Sequence, residues 1–377
     1  MRAYVFTDGA LERQAGRFVW LSIDAEKERN APFKTRFAIT ALPTFFVIDP
    51  ADEKAAMRWV GGATLPQLLK LLDDGARSVK PPAGKLEETL ARADRHYGEA
   101  RWAEAAAAYQ EVLAAAGKSW KPRARTTESL LFALSSAKRS EECAVAAWKA
   151  LPEVRKTFSS ANVAGSGLSC ALGLPAEHPR RAELVSNLEK ASQEILADSR
   201  LRLAADDRSG LYDVLHSARE EAKDEAGARR VASEWATYLE KEAAKAKTPD
   251  ARAVFDSHRL GAYLALGEPA RALPMLEASE RDLPGDYNPP ARLAVALRDL
   301  KRWDEALAAS DRALAKAYGP RKLGIYRTRT DIYVGKGDAA AARKTVEEAL
   351  RFAESLPAGQ RSEGAIASLK KKLESMP

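Results

Sequence analysis

Three small residues in the last third of the chain, Ala272, Ala306 and Ala342, recur at spacings of 34 and 36 residues in matching surroundings. Arg302-Trp303-Asp-Glu-Ala306-Leu-Ala-Ala-Ser310 repeats a frame already present at Arg101-Trp102-Ala-Glu-Ala105-Ala-Ala-Ala-Tyr109. In both, an aromatic is followed by Ala three positions on, a packing residue at seven, and Leu113 or Leu314 at eleven. Gly267-Glu-Pro-Ala-Arg-Ala272 and Gly337-Asp-Ala-Ala-Ala-Ala342 open the same frame. A unit of that length cannot bury an apolar face alone, so neighbouring units must stack to make one continuous core. That requirement constrains the fold more than any other feature of the chain.

The steric logic is that a small side chain at a helix crossing lets two helices approach closely, while Trp102, Tyr109, Trp303 and Tyr333 fill the space around it. The period and helix–turn–helix composition resemble the tetratricopeptide repeat. Repeats are expected at 86–119, 253–286, 287–320 and 323–356, the last three in tandem, with a polar capping helix from Ser362 to Ser375. Residues 120–252 read as degenerate, off-register pairs. Cys143 to Leu151 and Gly227 to Leu239 are second helices, with a further pair at 162–174 and 181–197. The resemblance implies a groove lined by first helices that takes a protein or peptide partner. By register its positions are Asn288, Val295, Arg298, Arg327 and Asp331, which carry only fragments of the Lys/Asn set that clamps a terminal carboxylate in such domains.

The first 82 residues have a different period. Arg17-Phe-Val-Trp-Leu-Ser-Ile-Asp24 is of strand length, and a helix is expected from Asn30 through Phe37. Strands at Thr44 to Asp49 and Ala56 to Val60 form a hairpin, and Thr64-Leu-Pro-Gln67 has capping-box spacing ahead of a helix faced by Leu65, Leu68, Leu69 and Leu72. This order, with Ala41-Leu42-Pro43-Thr44 before the second strand, resembles the second half of a thioredoxin fold. The resemblance implies a cis peptide before Pro43 and a peptide-docking surface at Leu42, Pro43 and Thr44. It also implies that the strand and Cys-x-x-C motif of the first half lie upstream of Met1, which would leave the sheet thin and this stretch without its thiols.

The fold class is therefore a truncated α/β thioredoxin-like domain (1–82) followed by an all-α, tetratricopeptide-like helical solenoid. The solenoid divides into degenerate repeats (83–252) and tandem repeats with a cap (253–377). The net charge of +7 comes from 60 basic and 53 acidic side chains interleaved along the chain, so no nucleic-acid footprint is expected. No apolar run is long enough to span a membrane. As written the chain reads as cytoplasmic, and a lost leader would make it periplasmic. Cys143 and Cys170 sit in Ala-rich stretches and are expected to be small buried hydrophobes instead of a disulfide. Four scattered histidines give no zinc spacing, and Gly117-Lys118-Ser119 lacks the rest of a phosphate loop, so no metal or cofactor is expected. Function follows as a non-catalytic interaction scaffold. The alternative is a thiol–disulfide oxidoreductase in a longer form carrying the upstream Cys-x-x-C.

Overall fold

The computed structural model describes residues 5–376. Its backbone is mostly helical, with a small antiparallel hairpin near the start. The hairpin pairs β1 (Thr44–Ile48) with β2 (Ala55–Val60), Thr44 opposite Val60 and Val47 opposite Met57. The helix that follows, α2 (Leu65–Ser78), starts from the capping box expected of it: Gln67 Oε1 accepts from Thr64 N (2.9 Å) and Thr64 Oγ1 accepts from Gln67 N (3.4 Å). Two of the four orphan donors at a helix start are satisfied in this way.

Helix pairs then succeed one another. They are α3 (Lys85–Gly98) with α4 (Trp102–Ala115), α5 (Arg123–Ser136) with α6 (Ser140–Val154), α7 (Ser160–Leu172) with α8 (Arg181–Ala197), and α9 (Ala205–Glu221) with α10 (Glu225–Ala244). After the short α11 (Pro249–Ala253) come α12 (Asp256–Ala265) with α13 (Leu273–Asp282), α14 (Asn288–Asp299) with α15 (Trp303–Lys316), and α16 (Arg321–Lys336) with α17 (Ala339–Ser355). The last helix is α18 (Glu363–Glu374). Most pairs reverse through one left-handed residue: Ala100, Lys138, Lys223, Gly267, Lys301 or Gly337. Four of these six are not glycine, so the tight turn is held against an intrinsic preference by the packing on either side. The crossings need small side chains as the spacing requires, for Ala105, Ala272, Ala306 and Ala342 are all wholly buried. The chain is in this sense an array of helix pairs packed through buried alanines.

The residues divide into two compact units. The first runs up to Ala15 and from Phe37 to Trp235, the second over Gly16–Arg36 and from Ala236 onward. In the first, Arg58 of β2 is fully buried among Phe46, Tyr97 and Trp102, its guanidinium carbon 5.0 to 5.6 Å from their ring centroids. It donates to Thr40 Oγ1 (3.1 Å) and Tyr97 O (3.4 Å), which ties the hairpin to α3. Behind it, Arg125 of α5 grips both oxygens of buried Asp94, which also accepts the Tyr109 hydroxyl at 2.6 Å.

Two expectations are corrected here. The run Arg17 to Asp24 is not a strand; it is irregular, with Val19 and Leu21 largely exposed. No strand among the described residues pairs with it, and its acidic end is instead held within the second unit. Tyr318 donates to Asp24 Oδ2 (2.6 Å), Arg321 pairs with Glu26, and Gln360 Nε2 donates to Ala25 O (3.3 Å). Side-chain and backbone bonding to the helical array replaces the missing ladder. Below it the expected helix does form, as α1 (Ala31–Arg36). The second correction concerns Cys143 and Cys170. They are buried, as the apolar context indicates, but joined in a disulfide across α6 and α7. Their apolar neighbours reported burial correctly, and only the close crossing of the two helices brings the sulfurs together. At that crossing a Cβ on Gly167 would lie 2.5 Å from Ala147 Cβ.

Candidate functional site

In the second unit the first helices of successive pairs, α12, α14 and α16, pack side by side. Arg298, on the last turn of α14, shares its guanidinium between Asp299 Oδ1 (2.7 Å) and Asp331 Oδ2 (3.5 Å) of α16. Lys372 of α18 reaches the other Asp331 oxygen at 3.4 Å. Four charged groups, Arg298, Asp299, Asp331 and Lys372, are thus drawn into one network across three helices. Lys372 was not legible as a member, because its Lys-Lys-Lys context reads as a solvated cap.

The remaining sequence-derived positions are placed as follows. Arg327, one turn before Asp331, is exposed and has no charged partner among the described residues. Val295 is half-buried on α14. Asn288 is the first residue of α14, and its backbone and side-chain N–H groups both donate to Asp286 Oδ1 at 2.8 Å just ahead of the helix. In the first unit the Leu42–Pro43 peptide is cis, Leu42 and Pro43 are exposed, and Thr44 turns its hydroxyl onto Ala41 O (2.6 Å).

A second polar centre, absent from the sequence reading, lies on the first helices of the first unit. Asn162 of α7 donates to Glu128 Oε2 of α5 at 2.9 Å, and also hydrogen-bonds Asp207 of α9. Glu128 Oε1 and Asp207 Oδ2 are shut away from water, with no hydrogen-bond partner among the described residues. Burial pushes the Glu128 carboxyl up to about 8 against the pull of bonds from Ser159 and Asn162, and nearby Asp207 adds to the rise. Burial likewise raises Asp207 to about 7. A carboxyl held neutral near pH 7 is a proton store and a hydrogen-bond donor as well as an acceptor. The only sequence signal was an acidic residue set among the buried side chains Thr127, Ser129, Leu130 and Leu131. Among the described residues no group of three His, Cys, Asp or Glu side chains is placed to hold a metal ion, and no helix is long and apolar enough to cross a membrane.

Neither a protein-family model nor a curated protein matches the sequence. Among solved structures the chain is similar to a tetratricopeptide repeat protein from Parabacteroides merdae, with 10% identity and a TM-score of 0.47 over 77% of this chain and 99% of that one. It is also similar to the TPR2AB domain of yeast Sti1 in its pHSP90 complex, with 15% identity and a TM-score of 0.26 over 77% of this chain and 98% of that one. The repeat character of this chain stands on its own helix pairs and their buried alanine crossings.

Proposed function

We propose that the protein is a non-catalytic interaction scaffold, in which the face of α14 and α16 receives a protein or peptide partner. The supporting observation is the incomplete charge balance on that face. Arg298 and Lys372 share Asp331, Arg298 also has Asp299, and exposed Arg327 adds a cation with no charged partner among the described residues. An acidic side chain or a chain-terminal carboxylate complements this surface, meeting Arg327 directly and competing with Asp331 for Arg298. Within this proposal, residues 83–252 are the degenerate repeats and 253–377 the tandem repeats with their cap, and Asn288 and Val295 flank the contact.

The test is selection of peptides from a displayed library on the full chain, followed by fluorescence polarisation with each selected peptide. Replacing Arg298 and Arg327 together with Ala lowers affinity at least about tenfold, the scale of losing one to two charge-assisted contacts. Asp331→Ala, which removes the carboxylate that Arg298 and Lys372 share and leaves Arg298 only Asp299, strengthens acidic peptides. Affinity unmoved by either change removes this face from the proposal.

We further read residues 1–82 as a thioredoxin-like remnant, supported by the β1–β2 hairpin and the capped α2 that follows it. In that reading Leu42, Pro43 and Thr44 are a docking edge. The oxidoreductase alternative requires a Cys-x-x-C pair upstream of Met1. Insulin reduction by this chain and by an extended reading frame distinguishes the two, since turnover by the extended form alone favours the alternative.

A further inference from the structure

A pocket in the first unit opens between α2, the start of α5 and the α6–α7 turn, walled by Trp59, Leu71 and Phe158. Its polar lining consists of donors in excess. Gln67 and Arg125 are each only 8% exposed, and each brings an N–H with no acceptor among the described residues: Gln67 Nε2 and Arg125 Nε. The capping box fixes the Gln67 amide, because Oε1 accepts from the Thr64 backbone N–H and hydroxyl and Nε2 is left as the unused end. Arg125 commits Nη1 and Nη2 to Asp94, and its Nε stands 3.4 Å from Asp74 Oδ2 without hydrogen-bond geometry. Asp74 is also paired with Arg77. Asp74 itself, Thr157 and Ser159 also line the pocket, as do two exposed lysines, Lys70 and Lys121, and no carboxylate among the described residues pairs with either lysine.

Buried donors without acceptors are destabilising, and a surplus of cations beside an apolar wall repels itself unless an anion enters. We propose that this pocket binds an oxyanion, a carboxylate or phosphate group borne on a small apolar body. Gln67 Nε2 and Arg125 Nε donate to its oxygens, Lys70 and Lys121 attract it, and Trp59, Leu71 and Phe158 enclose the apolar part. This site belongs to residues outside the α14–α16 face and does not depend on the function proposed for it.

The experiment is isothermal titration calorimetry of the full chain with butyrate and with inorganic phosphate, against chloride at matched ionic strength. Saturable binding of butyrate or of phosphate is expected, and the preferred ion identifies the source of the oxyanion. Lys70→Glu with Lys121→Glu, both at exposed positions, weakens binding at least tenfold. Gln67→Glu keeps the capping-box acceptor while replacing the free N–H by an oxygen, and abolishes binding without loss of the thermal midpoint. No saturable heat with either ion, or affinities unchanged in both variants, overturns the proposal.

Discussion

Glu128 offers a direct measurement of what burial does to this array. Its carboxyl rises from 4.5 to about 8, so between those values the folded chain holds a proton that the unfolded chain has released. Stability is then fully present below the unfolded value and declines as pH climbs through about 8. At about 1.4 kcal/mol per pH unit the interval sets a ceiling of roughly 5 kcal/mol, and residual water contact and relaxation reduce this to ~2 kcal/mol. Glu128→Gln keeps the shape and the acceptor for Asn162 but cannot ionise. In urea unfolding followed by far-ultraviolet circular dichroism, parent and variant should nearly coincide at about pH 5, and the variant should be ~2 kcal/mol more stable at about pH 9. Asp207, raised to about 7, tilts both curves in the same direction, and because its charge contributes to the Glu128 rise the difference between them includes the interaction of the two carboxyls. A parent as stable at the alkaline end as at the acid end, or a variant equally destabilised throughout, refutes the assignment of a buried neutral carboxyl.

Three further outcomes are expected. Reducing the Cys143–Cys170 bridge, which closes a 27-residue separation, should lower stability by about 3 kcal/mol in urea unfolding with and without dithiothreitol; coincident curves would show that the bridge does not form in solution. Gly167→Val drives a side chain into Ala147 and should cost ~1–3 kcal/mol, read as a lowered thermal midpoint, whereas an unchanged midpoint would mean α6 and α7 separate freely. Lys301→Gly relieves a left-handed turn at φ 59°, part of the gain being returned to a more flexible unfolded chain; a net gain of about 0.5 kcal/mol is expected, and destabilisation would show the lysine side chain matters more than its backbone.

Much of the helical array was legible because its determinants are local. The alanines at 272, 306 and 342 announce close crossings, and each is buried at one. The capping box at Thr64 and Gln67 forms as its spacing indicates, since both partners lie within a single turn. Arg17 to Asp24 shows the limit of the same approach. Its composition favours a strand, but a strand exists only with a partner, and none is supplied by the described residues.

The sequence by itself determined that most of the chain is helical, where the capped α2 begins and which small residues at 272, 306 and 342 are buried, because helical periodicity and capping act over a few neighbouring positions. Only the tertiary structure decided that Cys143 meets Cys170, that Arg298, Asp331 and Lys372 form one network, and that Glu128, Asn162 and Asp207 converge from three helices. Those meetings depend on the angle and rotation at which one helix lies on the next. Many packed side chains fix that geometry jointly, and no single stretch of sequence contains it.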